Sequence, residues 1–536
     1  MSANQDRDVR ARQPGRPSTP APLPGRPRHA EIHDPAIARE GGRYYIFGTH
    51  RRFASSPDLV DWDRLECNIT RDYEAIFDRV WRAWPKQAEG EDVAGNMWAP
   101  DVIWNPVMGR WCMYMSVNGA AYRSCIVLLT AEHLDGDWTL VGPVVYSGFA
   151  PDTVEATDVP RVLGTGADLD RYRSLKDTRI NAIDAGVAFD GEGRLWMNFG
   201  SWFGGVWLLE LDPATGLRRY GTSYPTIRDR SDAYYGCKLA GGRWVSGEGS
   251  YLVHRGGWWY LFLSYGRLDR TGGYQVRLFR SPSITGPYLD QAGQDAVADG
   301  SEEGGEEGHN WTGPKGIRLM STCRWAPGPH EDADIEVAQG HNSVLCDDDG
   351  SLFIVFHTRF IGRGEDEIET RIHQLLPTDD GWLTVAPFEY RGVRAHPGRE
   401  DLAPTDLVGG WQVVTHRQET FFDGRRGDTS GDYLGVNHPA MVNLAADGTL
   451  TWHPAPQTAP ASPSAGTPAA GSQEGDAARG TWSYDPDRGT IRLALPSVTY
   501  RGVATRLPDE AGGDMRVCLS AIGGNLSIWG ARAETA

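Results

Sequence analysis

No stretch of this sequence stays apolar for the ~18–20 residues that a membrane-spanning helix requires. The nearest candidate, 195–209, is shorter and is interrupted by Asn198, Gly200, Gly204 and Gly205. A protein that spans a bilayer with helices is therefore not expected. Excess positive charge is missing too: 53 Lys and Arg stand against 71 Asp and Glu, a formal net charge of −18. A chain of that sign has no overall attraction for nucleic acid or an anionic lipid surface, and a neutral substrate suits it better. Paired cysteines are also lacking. The seven cysteines, at 67, 112, 125, 237, 323, 346 and 518, are odd in number and show no C-x-x-C spacing. That argues against a disulfide framework or a zinc site. Residues 1–28, rich in Pro and Arg, contain no apolar core of a secretory signal and read as a disordered tail. Unpaired thiols and the missing signal together lead to the expectation of a cytoplasmic protein.

What is abundant is glycine and tryptophan, 66 and 20 residues. Glycine-rich turns between aromatic and β-branched runs point to short strands and tight hairpins. Two polar segments interrupt them: 290–308, acidic and expected to be exposed, and 455–478, a low-complexity loop. Between the tail and the low-complexity loop a weak repeat recurs five times: a glycine, an apolar run, then a small residue or histidine. The copies are Gly42-RYYIFGT, Gly109-RWCMYMS, Gly193-RLWMNFG, Gly257-WWYLFLS and Gly350-SLFIVFH, each preceded by another short strand. Five hairpin units of this kind predict an all-β chain, with a five-bladed β-propeller over 29–395. Alternating segments such as Trp411-Gln-Val-Val predict a small β-sandwich or barrel over 396–536.

One chemically active residue stands at nearly the same phase in every unit. Asp34 and Asp101 lie eight residues before their hairpin glycines, and Asp184, Glu248 and His341 lie nine before theirs. Each opens the first strand of its hairpin. Equivalent starts of the innermost strands of a propeller meet at one mouth of its channel, so the repeat gathers four carboxylates and one imidazole there. Crowded like charges raise one another's pKa, and buried isolated charges are costly. A reaction that needs one protonated and one ionised carboxyl gives such crowding a purpose, and glycoside hydrolysis is that reaction.

At these residues the sequence resembles glycoside hydrolase family 43, and within it the two-domain endo-1,5-α-L-arabinanases. The resemblance rests on His33-Asp34-Pro35, Met97-Trp98-Ala99-Pro100-Asp101, Asn181-Ala182-Ile183-Asp184, Gly200-Ser201-Trp202, Gly247-Glu248-Gly249, Gly340-His341-Asn342-Ser343 and His357-Thr358-Arg359-Phe360. It implies a five-bladed propeller that hydrolyses α-1,5-linked arabinofuranosyl bonds with inversion, in arabinan or arabino-oligosaccharides. Asp34 is then the general base, Glu248 the general acid, and Asp184 the residue that tunes and holds the acid. Base and acid of an inverting enzyme stand ~6.5–9.5 Å apart, to admit water. The resemblance further implies one calcium ion near His341, held largely through waters. Trp98 and Trp202 become candidate sugar platforms, Asp101, Asn181 and Ser201 hydrogen-bonding neighbours, and Arg359 a further candidate for binding.

The sequence departs from the family around Glu248-Gly249-Ser250-Tyr251, in the aromatic order after Gly200, and in the long segments 152–177 and 290–338. These departures leave endo against exo action open, with an α-L-arabinofuranosidase or β-xylosidase of the same fold as the enzymatic alternative. A non-catalytic sugar-binding propeller is the alternative of another class. The oligomeric state is open.

Overall fold

The computed structural model describes residues 27–533, apart from 84–95, 119–122, 149–152, 174–179, 303–314, 326–334, 400–401, 418–435, 456–476 and the single positions 223, 246, 271, 365 and 512. Nearly all of the expected tail and of the low-complexity loop, and the 303–308 part of the acidic segment, lie outside the described residues. The hairpin glycines have a plain physical basis. Gly42, Gly109, Gly193, Gly257 and Gly350 all turn with φ between 61° and 83°, a region that side chains with a Cβ enter only at a cost.

The strands that follow these glycines are buried almost throughout. In Arg110–Asn118 every residue after the first is buried, and in Leu195–Ser201 all are. A strand covered by neighbouring sheets on both faces has no reason to alternate polar and apolar residues, which is why the runs read as continuous in the sequence.

Four free-standing antiparallel sheets form. The first orders Ala36–Glu40, Arg43–Gly48, Arg52–Ser56 and Asp63–Leu65. The second orders Met97–Asn105, Arg110–Asn118, Ser124–Ala131 and Thr139–Tyr146. The third centres on Gly186–Phe189, Leu195–Ser201 and Gly205–Leu211, and the fourth on Glu336–Cys346, Leu352–Phe360 and Glu369–Pro377.

The expectation of a five-bladed propeller is met only in part, because four blades, not five, stand as sheets of their own. Glu248–Arg255, Trp258–Tyr265, Gln275–Ser281 and Ile317–Arg318 pair in order, but Ile317–Arg318 then pairs in parallel with Leu526–Arg532, Arg318 opposite Leu526. That edge is continued by the C-terminal strands instead of facing solvent, which removes the hazard of an open sheet edge. The architecture is propeller-like. The first strands Ala36–Glu40, Met97–Asn105, Gly186–Phe189, Glu248–Arg255 and Glu336–Cys346 each pack on the next, and the last packs back on the first. Residues 30–33 fasten the closure. Thr370 donates its N–H to the Ala30 carbonyl at 2.8 Å and its hydroxyl to that of Ile32 at 3.1 Å, while Thr49 N–H donates to the His33 carbonyl.

The C-terminal strands settle the choice between sandwich and barrel. From Gly409–Thr415 through Leu526–Arg532 eight strands pair in sequence order, and Leu526–Arg532 pairs both with Gly409–Thr415 and with Met515–Gly523. The sheet therefore closes on itself as a barrel around Trp411, Val413, Leu450, Leu493 and Leu519. Two further features escaped the sequence reading. A helix, Asn68–Ala83, follows the first sheet. The described part of the acidic segment is also not simply exposed: Asp290 is buried, accepts the Gly316 N–H and the Asn525 amide, and ties ring to barrel.

Candidate active site

The backbone at the mouth of the ring takes a conformation that amino acids other than glycine avoid. Asp34, Ala99, Asp184, Gly249 and His341 all have φ between 41° and 59°, at a cost of roughly 1–2 kcal/mol for each residue with a Cβ. Each sits just before its first strand or at a register shift within it, between Trp98 and Asp101, Glu248 and Tyr251, and Gly340 and Ser343. A bulge of this kind turns side chains out of the alternation of the strand.

These turns bring Asp34, Asp184, Glu248 and His341 together. His341 Nδ1 lies 2.9 Å from Asp34 Oδ1, and His33 Nδ1 lies 2.7 Å from Oδ2, which also accepts the Thr49 hydroxyl. Burial alone would raise the Asp34 pKa. The two imidazoles overcome it and hold the carboxyl well below its ordinary value. His341 shows the reciprocal effect: burial disfavours its charge, but Asp34 and Asp184 push its pKa up to about 9.

Glu248 has the opposite environment. Burial first, and the neighbouring Asp184 charge second, push its pKa up to about 8. Its Oε1 accepts the Tyr274 hydroxyl at 3.0 Å. Asp184 is itself raised to about 6, by burial against the moderating charge of His341, and its Oδ2 accepts the Gly249 N–H at 3.2 Å. Asp184 thus holds the backbone of the residue after Glu248 while its charge opposes ionisation of Glu248. Gly249 packs against His341, where a Cβ would meet the ring at 2.8 Å. Within one site, then, one carboxyl is held ionised and another protonated near neutral pH.

The remaining expected residues are less uniform. Asp101 is not gathered with the others. It is 2% exposed, its oxygens accept the Val187 and Val102 N–H groups, and burial pushes it up to about 6. Counting back from the glycine could not see the shift between Trp98 and Asp101, which puts Ala99 at the turn. Asn181 is buried and accepts the Ser124 hydroxyl at 2.7 Å; Ser201 and Arg359 are buried as well. Trp98 and Trp202 are half-buried, and Trp202 stacks on Phe203 with ring centroids 3.8 Å apart.

The sequence reading missed the roles of His33, Tyr274 and His357. His33 and His357 stack at 4.0 Å beside Asp34, and burial holds His357 well below its ordinary pKa, hence neutral. Both histidines stood inside quoted motifs, next to and in register with active residues. Tyr274 belongs to no repeated pattern.

As a place for calcium, His341 fits only in part. Its Nδ1 is engaged by Asp34, which leaves Nε2 as the ring's one remaining donor, whereas calcium takes six to eight oxygens. The donor set therefore suits an ion held mainly by water. Among the described residues the cluster with direct ligand spacing is His33, Asp34 and His357, their ligand atoms within 4.8 Å of one another. Its two nitrogens to one carboxylate are chemistry for a softer metal than calcium.

Comparison with known proteins completes the picture. The model of glycosyl hydrolases family 43 matches residues 170–322, and that of a C-terminal lipocalin-like domain matches 387–530. An extracellular endo-α-(1→5)-L-arabinanase of Thermotoga petrophila is 33% identical over 436 residues, covering 79% of this chain and 81% of the relative. The chain belongs to glycosyl hydrolases family 43. A second relative, the extracellular endo-α-(1→5)-L-arabinanase 2 of Bacillus subtilis, is 30% identical over 429 residues, 79% of this chain and 83% of its own length. The crystal structure of the Thermotoga petrophila endo-1,5-α-L-arabinanase superposes with a TM-score of 0.71 at 29% identity, covering 95% of this chain and 100% of that one. These relatives are extracellular proteins, which overturns the expectation of a cytoplasmic one. Unpaired cysteine was a poor guide because Cys67, Cys112, Cys125 and Cys518 are buried, and a thiol sealed in a core meets no oxidant.

Proposed function

We propose that this chain is an arabinan endo-1,5-α-L-arabinosidase that inverts at the anomeric carbon. One observation carries the reading: two carboxyls at the same mouth, Glu248 and Asp34, have proton affinities driven in opposite directions by their surroundings. Glu248, protonated near neutrality, gives its proton to the leaving glycosidic oxygen. Asp34, ionised, takes a proton from the water that attacks the opposite face of the sugar. His341 and His33 keep Asp34 ionised until it takes that proton, and the charge of Asp184 keeps Glu248 protonated. The arabinan-cleaving relatives support the substrate, and the net charge of −18 agrees with a neutral polymer.

Trp98 and Trp202 serve as sugar platforms in this reading, with Asn181, Ser201 and Arg359 behind them. Calcium would be held here by His341 Nε2 and water only once that ring gave up the proton that Asp34 and Asp184 favour, and would then supply the positive charge in its place. Calcium content of His341→Ala protein against the parent tests it; equal content removes His341 from that role. Counting the Glu248–Tyr265 hairpin with its continuation as a unit of the ring gives five blades, and we place the change from ring to barrel near residue 396.

Digestion of linear α-1,5-arabinan tests the activity. A ladder of oligosaccharides in early samples, with the anomeric proton signal of the first product inverted, is the expected result. Release of monomer alone replaces endo by exo action, and parent-level hydrolysis by Glu248→Gln ends the catalytic reading.

A further inference from the structure

The repeat that revealed the fold also ends, in every copy, on a residue whose purpose the reaction does not explain. Seven places after the hairpin glycines stand Thr49, Ser116, Gly200, Ser264 and His357. Four of these carry a side-chain lone pair, and all four accept a backbone N–H from the left-handed turn of the following unit. Ala99 N–H donates to Thr49 Oγ1 at 2.9 Å, Asp184 N–H to Ser116 Oγ at 3.0 Å, and His341 N–H to Ser264 Oγ at 2.7 Å. Asp34 N–H closes the circle on His357 Nδ1 at 3.3 Å.

The fifth position obeys the same logic by exception. Gly200 has no side chain, and with φ 118° and a Cβ that would stand 2.3 Å from the Gly205 carbonyl it cannot gain one. The N–H of Gly249 in the next turn is taken instead by the carboxylate of Asp184. Asn198, two residues before Gly200, holds the neighbouring Ser250 through its carbonyl and hydroxyl, both at 2.7 Å.

We propose that Ser116, Ser264 and His357 are positioning residues, each pinning the strained turn from which the next unit presents its group to the mouth, while Thr49 pins the equivalent turn at Ala99, which carries no such group. The inference rests on the catalytic reading above and deepens it. An unpinned turn of a residue other than glycine is freer to relax toward the extended region, because the fixed N–H opposes the left-handed strain. A carboxyl or imidazole carried on it then swings away, and small displacements of a catalytic group are expensive in rate. Hydroxyl and neutral imidazole are interchangeable here because the task needs only a buried acceptor. The one step without such an acceptor is the one that delivers Glu248. Asp184 is therefore pinned by Ser116 and in turn pins the acid, which places acid and modulator on one chain of hydrogen bonds.

The test is steady-state kinetics on linear α-1,5-arabinan with Ser116→Ala, Ser264→Ala and, as a control, Ser281→Ala, whose buried hydroxyl accepts the Ser283 N–H away from the mouth. Expected is a fall in kcat of about 10–100-fold for the first two, with KM within about threefold and no change of kcat for the control. Ser116→Cys and Ser264→Cys keep the volume but offer a weak acceptor, and show the same split if an alanine variant does not fold. Parent kcat in the variants, or equal losses in the control, overturns the inference. Glu248→Gln in the same assay separates the two failures. If it is inactive while the serine variants are unimpaired, only the positioning role falls; if it is active, the catalytic reading falls first.

Discussion

Acidic side chains and imidazoles are buried together twice in this molecule, with opposite consequences. Beside the barrel and residues 29–33, the N-terminal strap that fastens the ring, Arg371 lies among Glu336, Glu369 and Glu389, at 2.7 Å from Glu336, and His29 bridges Glu369 at 3.1 Å and Glu389 at 2.8 Å. There opposite charge overrides burial: Arg371 takes Glu369 far below its ordinary value, His29 and then Arg371 bring Glu389 down to about 2, and the glutamates raise Arg371. Every charge has a partner, and the cluster acts as cement between ring, strap and barrel. At the mouth, the partners of Asp34, Asp184 and Glu248 are imidazoles, hydroxyls and backbone N–H groups, with no guanidinium paired to them among the described residues. Three carboxyls sharing so little positive charge cannot all ionise, so their pKa values spread. The same residue types thus make a joint where an arginine neutralises them and an acid–base pair where none does.

This contrast fails most visibly if the mouth tolerates neutralisation. Glu248→Gln and Asp34→Asn are each expected to lower kcat by at least about 10²-fold; the unfolding midpoint holds or rises for Glu248→Gln, whose ionised form the site disfavours, and falls for Asp34→Asn, which strands the imidazoles that hold Asp34 ionised. Loss of stability with retained activity would put the mouth in the same class as the joint. The converse change is Arg371→Met, which strands three carboxylates. It should cost about 3–5 kcal/mol of stability, read by denaturant unfolding, with kcat per folded molecule unchanged.

A finer probe is Asp184→Asn. The Asp184 charge raises the Glu248 pKa, so removing it must lower that pKa. The alkaline limb of kcat/KM, set near pH 8 by loss of the Glu248 proton, is expected to move to lower pH. A shift upward would contradict the assigned cause.

The smallest effect concerns Glu510, the carboxyl at the joint that burial and its acidic neighbours Glu336 and Glu389 push up to about 7. Its folded form binds a proton more tightly than the unfolded chain. The stability this contributes is full below the ordinary carboxyl range and is lost as pH rises through about 7. Glu510→Gln should flatten that part of the stability profile, and an unchanged slope would show that another group produces it.

Much of this was legible in the residues and some was not, for physical reasons. The five glycine–apolar runs exposed the ring because φ above zero and burial on both faces each leave a local mark. Asp34, Asp184, Glu248 and His341 could be read from the phase of the repeat because their turns are equivalent. The same counting misplaced Asp101, since one bulge moves the turn to Ala99 and leaves the aspartate inside its strand. Continuity of ring and barrel depends on one parallel pairing, Arg318 with Leu526, which no local pattern announces. Tyr274 was invisible for a similar reason: its contact with Glu248 is made by folding alone. The final residue of each repeat was in plain view as a small residue or histidine, but only the hydrogen bonds reveal its work.

The claim beneath all of this is that surroundings alone split two chemically similar carboxyls into a proton donor and a proton acceptor. Infrared difference titration of the parent against Glu248→Gln, between pH 5 and pH 10, reads that split directly. The account predicts a carboxylic-acid C=O band that disappears with a midpoint near pH 8 in the parent and is missing from the variant. A Glu248 signal already ionised at pH 5 would contradict it.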